Sequence, residues 1–213
     1  KVQNIRKQLL EFKEQSYSMC ISSSFQTHSI PLLHIVSNTI PNIPVLFLDT
    51  GFHFPETYEF KESIEQQLNL NIINLKSGTS KMGQTDKDGQ FLYMSDPDYC
   101  CHMNKTVPLD EALEHYDVWI AGLRKDQTTF RKNLSPVSQR KDGKLKYHPI
   151  LNWNAKMIYK YRKEYNLPEH PLEEKGYLSV GCKPCTMTYS ETGERSGRWH
   201  GMKKTECGIH LNN

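Results

Sequence analysis

This sequence predicts an α/β fold, a parallel sheet flanked by helices in one domain, and three observations carry that expectation. Apolar runs of strand length alternate with segments of helical spacing. Loops rich in Ser, Thr, Asp and Arg follow those runs on their carboxyl side. The 213 residues, 37% of them hydrophobic, suffice for one substantial core and are too few for two ordinary domains.

The first element is a helix over 1–15, where Val2, Ile5, Leu9 and Phe12 recur among charged residues. That spacing is amphipathic, unlike a secretion signal. Residues 17–22 read as a short strand. The turn Ser22-Ser23-Ser24-Phe25-Gln26-Thr27 then leads into a helix containing Leu32, Leu33, Ile35 and Val36, with Pro31 in the first turn, where its missing N–H is tolerated. Residues 45–48 form a second strand ending at Asp49-Thr50-Gly51, and a helix over Pro55–Leu68 with a strand over Asn71–Leu75 completes a β-α-β-α-β pattern. A helix over 108–115 precedes the strand Val118–Ala121, which runs into Gly122-Leu123-Arg124-Lys125. Strands arranged this way are covered on both faces, and their carboxyl-end loops should converge on one cleft. The polar, cationic segment 125–144 reads equally as a mobile lid or as a solvated loop. Residues 154–165 resemble a helix, and from Leu167 onward Pro, Gly and charges dominate, a tail without a core of its own.

Lys and Arg number 27 against 24 Asp and Glu, and the resulting +3 is too mild to call for nucleic acid. A small anion needs no more. No apolar run approaches a membrane span, and because the chain opens on Lys1 and not Met, we expect residues to precede it. Six cysteines without an export signal point to the cytoplasm, where thiols stay reduced and available for metal or catalysis. Cys100 and Cys101 are adjacent, Cys182 and Cys185 form a CxxC, and Cys207 lies near the terminus. Cys20 falls in an apolar strand pattern and reads as a small core residue.

The serine-rich turn places three hydroxyls and successive N–H groups at a helix N-terminus, which suits phosphate or sulfate, although such turns are more often plain caps. Four paired cysteines match the thiolate count of a 4Fe-4S cluster or a tetrahedral zinc, and spacing alone leaves both open. In Lys203-Lys204-Thr205-Glu206-Cys207-Gly208-Ile209-His210 a thiol stands among cations, which favour the reactive thiolate; the bland alternative is an incidental free cysteine. His210 is the candidate thiol-activating group.

Taken together these residues resemble a known family. Glu206-Cys207-Gly208-Ile209-His210 resembles the terminal catalytic motif of the assimilatory sulfonucleotide reductases. Leu48-Asp49-Thr50-Gly51 with Phe54-Pro55-Glu56-Thr57 resembles the family's second substrate loop, and Gly122-Leu123-Arg124-Lys125-Asp126-Gln127 its arginine-containing loop. Cys100-Cys101 with Lys105, and Gly181-Cys182-Lys183-Pro184-Cys185, resemble the cluster motif of the iron-sulfur branch that acts on adenosine 5′-phosphosulfate. Asn104, Lys125 and Phe52 stand where that family commonly carries other residues.

The resemblance implies an adenine-nucleotide hydrolase-like, Rossmann-like fold, with residues 1–199 as the body and 200–213 as a mobile catalytic tail. It implies reduction of adenosine 5′-phosphosulfate to sulfite and AMP through an S-sulfocysteine on Cys207. Ser22 and Ser24 would hold the phosphosulfate, Asp49, Thr50 and Gly51 would border the adenosine, and Lys105, Arg124, Arg195 and Arg198 would face the anion. Cys100, Cys101, Cys182 and Cys185 would ligate a 4Fe-4S cluster, and thioredoxin or a glutaredoxin-like dithiol protein would be the reductant. A homo-oligomer is compatible with the sequence; no membrane or nucleic acid is expected as a partner. The nearest rival is a reductase of the 3′-phosphorylated nucleotide, or a dual-substrate enzyme. A zinc-stabilised nucleic-acid module is the rival from another class, weakened by the mild charge.

Overall fold

The computed structural model describes residues 1–188, 197–199, 202, 204 and 206–210. Its strands are β1 (Met19–Ser22), β2 (Pro44–Leu48), β3 (Asn71–Leu75), β4 (Val118–Ala121), β5 (Val137–Gln139) and β6 (Leu145–Tyr147). They form one sheet in the order β3-β2-β1-β4-β6-β5. Every neighbouring pair is parallel except β5 with β6, an antiparallel edge. Successive connections leave β1 toward β2 on one side and reach β4 on the other, so the strand order reverses between β1 and β4. In an open α/β sheet that reversal opens a crevice at the carboxyl ends, where ligands bind.

Side chains alternate along the strands and so build two apolar layers. Ile21, Val45, Phe47, Val118 and Ile120 pack with Ile5, Leu9 and Phe12 of α1 (Val2–Glu14), Leu32 to Val36 of α2 (Ile30–Thr39), Phe60 and Ile64 of α3 (Pro55–Leu68). Cys20, Leu46, Trp119 and Ala121 face the other way, onto Leu109 and Leu113. Each large side chain buried this way contributes about 1.5–3 kcal/mol. Cys20 is therefore a core residue, as its apolar setting implied.

The segment 92–106 had no sequence prediction. It folds as two short helices, α4 (Leu92–Ser95) and α5 (Pro97–Cys101), followed by a π-helical stretch His102–Thr106 and then α6 (Val107–Leu113). Asp96 caps α5 by accepting from the Tyr99 N–H at 2.9 Å. Asn154 caps α7 (Ala155–Glu164) through the Met157 N–H at 3.0 Å, which is why that helix starts one residue inside the expected span. Segment 125–144 is more than a solvated loop: it holds a 3-10 turn, Phe130–Asn133, and the strand β5, each too short to show a period. The tail after α7 packs on the body, with Leu172 and Val180 burying against Phe54.

Candidate functional site

The loops after β1, β2 and β4 converge as expected. They wall a cleft with about 1210 Å³ of empty space, lined by Ser22, Ser23, Ser24, Leu48, Arg124, Arg198 and Cys207 among others. The serine turn is pinned from both sides. Ser22 Oγ accepts from Trp119 Nε1 at 2.8 Å, Ser23 Oγ accepts from the Phe25 N–H at 3.1 Å, and Ser24 Oγ accepts from Gln26 Nε2 at 3.0 Å. Phe25 holds a positive φ of 52° that folds the turn back on the sheet. Arg124 is almost fully buried and its Nε donates to Asp126 Oδ1 at 3.1 Å.

Behind this cleft lies a second, smaller cavity. Cys100, Cys101, Cys182 and Cys185 all line it, with Thr50, Phe52, Tyr93, Pro97, Asn104, Lys105 and Pro184. Thr50 Oγ1 lies 3.3 Å from Cys182 Sγ, and Asn104 Nδ2 donates to Cys100 Sγ at 3.6 Å while exchanging two hydrogen bonds with Gln84. Burial pushes the Cys100 thiol up, and pushes Cys185 up to about 11, each helped by the neighbouring Cys182. Among the described residues no carboxylate or imidazole lines this cavity, whose soft donors are the four cysteine sulfurs. Among the described residues no three His, Cys, Asp or Glu side chains converge as ligands of one shared ion do. A cuboidal cluster takes one thiolate per corner and asks only that four sulfurs line one cavity.

Lys105 is the wall between the two spaces, since it lines both. Burial works against its charge, but the sulfurs of Cys182, Cys207 and Cys101 outweigh that and hold it protonated. Cys207 is reached from the tail. A hydrogen bond from Cys101 is the largest influence lowering its thiol, burial opposes it, and Lys105, the Ile209 N–H and Arg198 add to the lowering. The Cys101 thiol rises by the same hydrogen bond. Lys105 and Arg198 line the cleft with Cys207, and cations beside a thiol favour its thiolate.

The structure brings Ser22, Ser24, Lys105, Arg124, Arg198, Cys207 and His210 to one cleft. Arg195 lies outside the described residues. Asp49, Thr50 and Gly51 do not line the cleft: Asp49 accepts from Tyr58 Oη at 2.6 Å and pairs with Lys76 at 3.4 Å, Thr50 turns to Cys182, and Gly51 takes the turn with φ 71°. Leu48 and His53 line the cleft in their stead. The His210 ring stacks on Trp119 at 5.5 Å and 14°, and the groups that chiefly lower Cys207 are those named above. Phe52 packs among Cys182, Cys185 and Trp199 and lines the thiol cavity. Sequence reasoning missed Trp119 as a neighbour of the site, and nothing in the polar, cationic segment that holds Arg131 marks that residue for the cleft.

Residues 18–188 match the phosphoadenosine phosphosulfate reductase domain. An adenosine 5′-phosphosulfate reductase of Bacillus cytotoxicus is 37% identical over 202 residues, which is 93% of this chain and 86% of that protein. The adenosine 5′-phosphosulfate reductase of Streptomyces coelicolor is 39% identical over 193 residues, covering 90% and 81%. Among solved structures, phosphoadenylyl-sulfate reductase from Candida auris in a phosphate complex superposes with a TM-score of 0.68 at 22% identity, over 85% of this chain and 94% of that one. Candida glabrata FMN adenylyltransferase shares the fold at a TM-score of 0.63 and 13% identity, over 96% and 77%.

Proposed function

The chain belongs to the phosphoadenosine phosphosulfate reductase family, and from that premise we propose that it reduces adenosine 5′-phosphosulfate to sulfite and AMP with Cys207 as nucleophile. The observation that carries this is that Cys207 and Lys105 line one cleft, with Lys105 also lining the four-thiol cavity. Among the described residues no helix is long and apolar enough to cross a membrane, and the cytoplasm is the compartment that suits free thiols.

Ser22, Ser24 and the N–H groups of their turn hold the phosphate, while Lys105, Arg124, Arg195 and Arg198 neutralise the sulfonate and phosphate oxygens by charge-assisted hydrogen bonds. The Cys207 thiolate attacks the sulfur, the sulfur–oxygen bond to phosphate breaks, and AMP leaves with the electron pair. The enzyme then carries an S-sulfocysteine. A thiolate of thioredoxin, or of a glutaredoxin-like dithiol protein, attacks Cys207 Sγ and expels sulfite. The second thiol of that partner displaces Cys207, which returns as thiolate while the partner leaves as a disulfide. In this reading residues through 199 hold the nucleotide and the tail from 200 delivers the nucleophile.

Cys100, Cys101, Cys182 and Cys185 would hold a 4Fe-4S cluster, a reading supported by their common cavity and its four soft sulfur donors. When bound, such a cluster supplies a fixed electrostatic field beside Lys105. Preference for the nucleotide without a 3′-phosphate is supported by the names of the relatives and by the engagement of Arg131 with Glu206, which occupies a cation that a 3′-phosphate could otherwise use.

Two variants test this together. Cys207→Ser should keep its iron and sulfide content and lose turnover by several orders of magnitude, whereas Cys182→Ser should lose iron and sulfide. Substantial thioredoxin-dependent turnover by Cys207→Ser, or full iron in Cys182→Ser, would overturn the respective assignment.

A further inference from the structure

Cys207 is flanked by two residues whose side chains are anchored on the body of the protein. Glu206, buried at 5% exposure, receives a two-pronged contact from Arg131, itself 5% exposed: Nε donates to Oε1 and Nη2 to Oε2, both at 2.7 Å. Thr128 Oγ1 donates to the same Oε1 at 2.6 Å, and Arg131 Nη1 donates to Gln127 Oε1. On the other side the His210 ring lies flat on Trp119, whose opposite environment includes Lys146 Nζ at 4.2 Å from the ring centre. Lys204 adds a third tie, to Asp98 of α5.

From this geometry we infer that Arg131 is a positioning residue, a latch that seats Cys207 against Lys105 by gripping the carboxylate of the preceding residue. The inference rests on the reading of Cys207 as nucleophile. A carboxylate buried this deeply is tolerable only while paired and hydrogen-bonded. With the guanidinium gone, Glu206 gains by returning to water, and Cys207, one residue away, leaves the cleft floor with it. Arginine suits the task because its planar fork meets both oxygens at once, which lysine cannot do. Glu206 cannot bind an anionic nucleotide, so its engagement with Arg131 serves the tail and not the substrate. The latch must also open once per cycle, because the reductant's thiolate has to reach Cys207 Sγ.

The test measures alkylation of Cys207 by iodoacetamide without nucleotide, followed by peptide mass spectrometry, alongside kcat and KM. Arg131→Ala and Glu206→Gln should each speed alkylation tenfold or more and lower kcat by a similar factor with little change in KM. The double variant should be no worse than either single one, the mark of a shared interaction. Arg131→Lys should fall between wild type and Arg131→Ala, and Lys132→Ala, an exposed neighbour on the same turn, should match wild type. Unchanged alkylation in both variants overturns the latch, as does a rise in KM alone, which would make Arg131 a nucleotide contact. Faster alkylation with undiminished kcat also overturns it, and turnover by Cys207→Ser then shows whether the nucleophile reading failed with it.

Discussion

At the residue scale, the chemistry of the site was legible wherever a residue type is tied to one job. Lys105, and Cys207 as a nucleophile, were expected from the family resemblance, and the four paired thiols could be picked out because soft donors are few. Gly181 could not, since its reason is spatial. A Cβ there would run into the guanidinium of Arg198, whose Nη1 donates to the Val180 carbonyl at 3.1 Å. The obstacle is the far end of a flexible side chain, so the fold can absorb it and the anion site cannot. Gly181→Ala should therefore melt like wild type and lose about tenfold in kcat/KM, roughly 1.4 kcal/mol. Unchanged kcat/KM would mean that Arg198 does not face the substrate. Asp49, a substrate contact by resemblance to the family's second loop, accepts from Tyr58 and pairs with Lys76.

At the element scale, long periodic segments were readable and short ones were not. Pro55–Leu68, Asn71–Leu75 and Val118–Ala121 match their expected bounds, whereas α4, α5 and the π-helical stretch that carries Cys100 to Lys105 are each too short to show a period. The tail beyond α7 is tied down by a residue that composition could not flag. His170 Nδ1 accepts from the Leu172 N–H at 3.2 Å, its Nε2 lies 3.2 Å from Thr57 Oγ1, and its N–H donates to Thr27 Oγ1 at 2.9 Å. Accepting at Nδ1 requires a neutral ring, and burial pushes His170 down from 6.5 to about 4. Below 6.5 the unfolded chain takes up a proton that the native ring refuses, so stability is full above that pH and declines as pH falls toward 4. A shift of this size corresponds to on the order of 3 kcal/mol. Urea midpoints of wild type and His170→Gln should converge as pH is lowered through that window. A constant gap between them would show that His170 titrates alike in the folded and the unfolded chain.

At the scale of the whole molecule, the sheet's strand reversal between β1 and β4 brings three loops from distant parts of the chain to one cleft. That convergence was foreseeable from the β-α alternation, because parallel strands all point their carboxyl ends the same way. The antiparallel edge made by β5 was not, since it depends on contacts between segments with no shared pattern. In the proposed reading the body holds an anion and the tail brings a thiolate to it. Mixing the anaerobic protein with adenosine 5′-phosphosulfate in the absence of any reductant, then measuring the modified peptide by mass spectrometry, tests this most directly. One S-sulfonate per chain should form on Cys207 with an equal amount of AMP released. AMP without that adduct, or an adduct on any other cysteine, would contradict it.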